Sequence, residues 1–149
     1  NCRIRNMKRI NRDVCHQEMI KKLTGSDSPP FQQIWQLLIF AASLGIRDKG
    51  KRPIENYDAG KAIQENYFSA PGWKGLLYLM RLVETENTNC LNSSEEEQDK
   101  LIKSFEEYSN YGLHFLSRIM ETSNDYLDML VEMCLKEDEK SPEPDLELI

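Results

Sequence analysis

Histidine is nearly absent from this sequence, and no two cysteines stand in a CxxC pair. Cys2, Cys15, Cys90 and Cys134 are scattered, which removes the usual zinc and dithiol spacings. His16 adjoins Cys15, but adjacent residues of a helix point about 100° apart and cannot easily grip one ion. His114 sits between Leu113 and Phe115 with no cysteine nearby, as a hydrogen-bonded, half-buried side chain would. The carboxylate runs Glu95-Glu96-Glu97 and Glu106-Glu107 lack the Glu-x-x-His partners that a two-metal bundle site requires. GxxxxGK[ST], GxGxxG and GxSxG are all missing. Gly45 and Gly50 ahead of Lys51 imitate a phosphate loop only superficially, since no Ser/Thr follows and a helix precedes. Nothing here calls for catalysis, a metal or a cofactor.

Long apolar runs are lacking too. The longest, residues 34–46, is broken by Gln36 and Ser43, well short of the roughly 20 residues that span a bilayer. No apolar stretch follows Asn1-Cys2-Arg3, so no signal peptide is read there, and the start without Met is read as trimmed. A cytoplasmic protein with reduced cysteines and no membrane contact is the expectation.

What the chain does have is charge, unevenly placed. Residues 1–53 carry eleven Lys/Arg against four Asp/Glu, a balance of +7. Residues 54–149 carry eight against twenty-one, a balance of −13. A basic front on an acidic body suits contact with a polyanion or an acidic partner through one end. The apolar fraction of 40% is enough for one packed core at this length.

The patterning predicts an all-α fold: five or six helices around a buried central helix, in one domain over residues 1–136. Residues 1–12 form a basic arm, and 137–149 a disordered acidic tail. Asp13 caps a first helix over 14–23, ended by Thr24-Gly25. Residues 31–44 are apolar almost all round, so they are read as the central helix, with Gly45 as its C-cap. On that reading Phe40→Ala costs about 3–5 kcal/mol. A short helix is read over 58–67, with Ala59, Ile63 and Tyr67 inward. Trp73, Leu76, Leu77, Met80 and Val83 mark the next helix. Ser94 and Glu97 form a capping box opening a long helix through Met120, and Asn124 caps a last one. Gly112 falls on the apolar stripe of the long helix. There it predicts a close crossing with the central helix at Ala41 or Ala42.

Two segments carry a family resemblance. One is Pro30-Phe31-Gln32-Gln33-Ile34 leading into Phe40-Ala41-Ala42-Ser43-Leu44-Gly45. The other is Phe105-Glu106-Glu107-Tyr108-Ser109-Asn110-Tyr111-Gly112-Leu113. With a basic arm ahead and a short helix behind, the chain resembles the bacterial DNA phosphorothioation-associated (Dnd system-associated) protein 4 family. The resemblance covers most of residues 3–135 and is weakest over 54–72. It implies a cytoplasmic accessory of a sulfur-modification defence system and supplies no catalytic residues.

Two functions follow. The first is a non-enzymatic accessory that touches DNA through its basic half. Its candidate contacts are Arg3, Arg5, Lys8, Arg9, Arg12, Arg47, Lys49, Lys51 and Arg52. The second is an adaptor that docks on a larger protein of the same system without touching DNA. The order arm, helix, turn, helix over the first 45 residues also admits a ribbon–helix–helix module, in which two arms pair across a homodimer.

Overall fold

The computed structural model describes residues 8–69, 72–122 and 124–140. Six α-helices are found among them, with one two-stranded sheet. The helices are α1 (Gln17–Thr24), α2 (Ile34–Asp48), α3 (Asn66–Ser69), α4 (Lys74–Thr85), α5 (Glu95–Met120) and α6 (Tyr126–Lys140). The all-α class and a buried central helix are what the structure shows. The helix at the centre is α5, with α2 and α4 packed on it.

Asp13 does open the first helical segment: its carboxylate accepts from the Cys15 N–H at 3.1 Å, and a 3₁₀ turn over Val14–His16 leads into α1. Met19, Ile20 and Leu23 face the core as their spacing requires. The Phe31 N–H donates to the Leu23 carbonyl at 3.1 Å, folding the Pro29-Pro30 turn back before α2 begins.

α2 differs from its sequence reading at both ends. Gln33 and Gln36 cap its start reciprocally, and Phe31 lies outside it. Gly45 does not end it; the helix runs through to Asp48 and closes on Lys49, whose φ of 51° is left-handed. Gly45 is there for packing instead, since a Cβ at that position would stand 2.6 Å from the Tyr108 carbonyl oxygen. Phe40 and Trp35 are only half-buried, and Ser43 is exposed, so α2 is covered on one broad face and not all round.

Residues 58–67 are not a helix. Strand β1 (Arg9–Ile10) pairs antiparallel with β2 (Ile63–Gln64), in register Arg9 to Gln64 and Ile10 to Ile63. Around this pair the Lys8 carbonyl accepts from Glu65 N–H, and the Arg12 carbonyl from Asp58 N–H. A 3₁₀ turn (Ala59–Lys61) and the single turn α3 complete the segment. Ile63 is buried as expected, but Tyr67 is exposed and Phe68 is fully buried in its place. Within the described part of the arm, Arg9 and Ile10 therefore pair with the same chain; residues 1–7, which the ribbon–helix–helix reading also uses, lie outside the described residues.

α4 starts at Lys74 and buries Leu77 and Met80, leaving Trp73 and Val83 exposed. Ser94 caps α5 through the Glu97 N–H at 3.3 Å. α6 is capped by Asp125, not Asn124: its carboxylate accepts from the Asp128 N–H at 3.1 Å. α6 continues through Lys140, past the expected start of a tail at 137; residues 141–149 lie outside the described residues.

Candidate interaction surfaces

The segment that carries the second half of the resemblance is the keystone of the core. Phe105 meets Phe68 edge-on, with ring centroids 5.4 Å apart. Tyr108 lies under Gly45, and the Ser109 hydroxyl donates to the Leu38 carbonyl at 3.1 Å. Asn110 donates from Nδ2 to the carbonyls of Arg52 and Pro53, both at 3.1 Å. Its Oδ1 then accepts from His16 Nε2 at 2.9 Å, which sets the tautomer of the buried imidazole. Burial holds the His16 pKa below its ordinary value, so the ring is neutral. Gly112 lies against the Ala41 carbonyl so closely that no Cβ fits, and the predicted crossing is where the sequence put it.

Four of the seven described candidate cations face a carboxylate of the same chain. Arg3 and Arg5 lie outside the described residues. Lys8 reaches Asp99 at 2.5 Å and Glu95 at 3.4 Å, and the Asp99 contact raises its pKa. Arg12 is only 6% exposed, with Asp58 at 3.8 Å; Nε and Nη1 find no partner among the described residues. Arg47 grips Asp48 with a two-pronged contact at 2.7 and 3.2 Å, reaches Glu137 at 3.1 Å, and lies over the Phe115 ring. Lys51 pairs with Glu84 and sits 5.0 Å above the Tyr108 ring. Glu84 also accepts from Ser104 and Arg81, so despite burial its carboxyl is held below the ordinary range. Arg9, Lys49 and Arg52 remain exposed, with no ion pair among the described residues. From Lys8 at Asp99 to Arg47 at Phe115 the cations are strung along α5 over roughly 24 Å.

No reactive constellation is assembled among the described residues. No group of three or more His, Cys, Asp and Glu is placed to hold a metal ion. The Cys15 thiol is pushed up to about 11 by desolvation and by Asp13, the opposite of an activated thiolate. Asp13 itself is buried, yet backbone N–H groups of Cys15, Glu55 and Asn56 hold its carboxyl low, so it serves as a clasp for the 55–56 turn. The Glu106 carboxyl is pushed up to about 7 by burial, with Asn11 as its hydrogen-bond donor at 3.5 Å. No helix among the described residues is long and apolar enough to cross a membrane.

Apolar surface is what stays open. A groove of 690 Å³ runs between the C-terminal end of α5 and α6, floored by Phe115, Ile119, Met129 and Met133. A second groove of 400 Å³ shares Phe115 and Ile119 and continues to Tyr111. Leu127, Val131 and Leu135 are exposed on α6, and Leu79 and Val83 on α4. Sequence reasoning missed the groove because Phe115 and Ile119 share the stripe of the buried Leu101 and Phe105. The available signal was the breadth of the apolar set on α6, wider than one contact face uses.

The family model for DNA sulphur modification system-associated protein 4 matches residues 9–149. The chain belongs to that family. Comparison with curated proteins and with solved structures gives no match. For a DNA sulphur modification system-associated protein 4, the segment over residues 105–113 now has a physical meaning. Tyr108, Ser109 and Gly112 lock α2 onto α5, Phe105 locks Phe68, and Asn110 locks the Arg52-Pro53 turn and His16. It is a packing motif.

Proposed function

We propose that this chain, an associated protein of a DNA sulphur modification system, works as a non-enzymatic adaptor in the cytoplasm, docking onto a larger protein of that system. One observation carries this reading. Lys8, Arg12, Arg47 and Lys51 each face a carboxylate of the same molecule, whereas apolar helix faces and an open groove face outward. Cations satisfied internally give up much of their attraction for phosphate, and apolar side chains left outward beside a groove suit a protein partner. The test is co-expression of the tagged chain with the other proteins of the system, followed by nuclease treatment and purification. A larger partner that stays bound through nuclease supports the adaptor; a chain that elutes alone overturns it.

The DNA reading retains one specific support, the exposed Arg9, Lys49 and Arg52, which have no ion pair among the described residues. Three phosphate contacts predict duplex affinity whose logarithm falls with log salt at a slope of about −3. Neutralising Arg9, Lys49 and Arg52 to Gln together should remove that dependence. Duplex binding that the triple variant leaves unchanged sinks this second reading.

A further inference from the structure

We propose that the groove between α5 and α6 receives a basic amphipathic helix of the partner protein; the inference rests on the adaptor reading and names its surface. The floor has the chemistry of a helix-binding groove. Phe115 and Ile119 of α5 face Met129 and Met133 of α6, all four half-buried, with the Arg47 guanidinium over the Phe115 ring. Methionine adapts to varied apolar shapes, which suits a surface that must accept a foreign side chain. With the adjoining groove the floor runs along α5 from Tyr111 to Ile119, roughly 12 Å. That is about two helical turns, the span of apolar anchors at i, i+4 and i+7.

Charge selects the occupant. Asp125, Asp128, Glu132 and Glu137 line the larger groove against two cations, Arg47 and Lys136. Both cations are already engaged, Arg47 by Asp48 and Glu137, and Lys136 by Glu132 at 2.7 Å. Counting Arg118 on the adjoining groove, four carboxylates stand against three cations, so the rim is net acidic and an incoming helix gains by flanking its apolar anchors with Lys or Arg. A second copy would bring acidic rim against acidic rim. An anionic lipid surface is repelled for the same reason.

Two measurements with the full chain decide the matter. The first titrates a labelled amphipathic Leu/Lys peptide, with a Leu/Glu peptide of the same apolar pattern as control. Asp128→Lys with Glu132→Lys alters only exposed side chains, and Met133→Lys alters the floor. The Leu/Lys peptide should bind, the Leu/Glu peptide should not, and each variant should weaken binding by about tenfold or more. Equal affinity for the Asp128→Lys/Glu132→Lys variant means that the peptide adheres elsewhere on the acidic body, and overturns the proposal. The second repeats the co-purification with that double variant. Loss of the partner supports the groove. Retention of the partner overturns the groove and leaves the adaptor standing, whereas a wild-type chain without partner overturns both. A wild-type dimer that the double variant dissociates assigns the groove to a second copy and overturns the proposal as well.

Discussion

Gly112 and Gly75 are both helical glycines, and they should respond to the same substitution with opposite signs. Alanine is favoured over glycine inside a helix by about 1 kcal/mol, chiefly through backbone entropy. At Gly75, exposed on α4, nothing lies within 4 Å of an added Cβ, so only this term operates. Gly75→Ala should raise stability by about 0.4–1 kcal/mol. At Gly112 an added Cβ meets the Ala41 backbone, which cannot rotate away as a side-chain tip does. Overpacking of about 1–3 kcal/mol then outweighs the propensity gain, and Gly112→Ala should be net destabilising. Urea denaturation of the two variants reads both signs. A stabilised Gly112→Ala protein would mean that α2 and α5 cross elsewhere.

At the level of elements, the central bundle was legible in the sequence and the segment between α2 and α4 was not. The long helix announced itself by its capping Ser94 and a stripe sustained from Leu101 to Ile119, and Gly112 even gave its crossing point. Residues 54–69 fold instead through pairing with the distant arm and through the buried Asp13 clasp, neither of which leaves a local period. Phe68 shows the cost of that blindness: it is fully buried against Phe105, while Phe40, chosen from its all-apolar context, is half-buried and meets Phe31 at a tilt, with ring centroids 5.5 Å apart. Phe68→Ala should therefore cost about 3–5 kcal/mol and Phe40→Ala clearly less. Thermal unfolding of the pair checks the order, and a larger loss at Phe40 would contradict this packing. The interaction surface was hidden for a different reason. A stripe of apolar residues states that a face is covered, but not whether the cover comes from the same chain, so Phe115, on the stripe of Leu101 and Phe105, read as core.

The whole molecule is a basic front laid along an acidic back, and Glu106 sits in the seam between them. Its carboxyl, pushed up to about 7 by burial, holds its proton more tightly folded than unfolded, where it ionises near 4.5. Its contribution to stability is thus fully present below pH 4.5 and lost as pH rises through 7, in total roughly 3 kcal/mol. Glu106→Gln keeps an acceptor for Asn11 without the titration. The variant should match the parent near pH 4.5 and exceed it by up to roughly 3 kcal/mol at about pH 8. Denaturation midpoints at the two pH values test this, and parallel profiles would place Glu106 in contact with water. The central position of α5 also has a consequence in time. His16 waits for Asn110 and Lys8 for Asp99, partners 94 and 91 residues further along the chain. At a synthesis rate of about 5–20 residues per second, the apolar face of α2 emerges seconds before the helix that covers it. Until Met120 has been made, the nascent front half holds no finished core, so the order of translation exposes α2 to aggregation or to a chaperone.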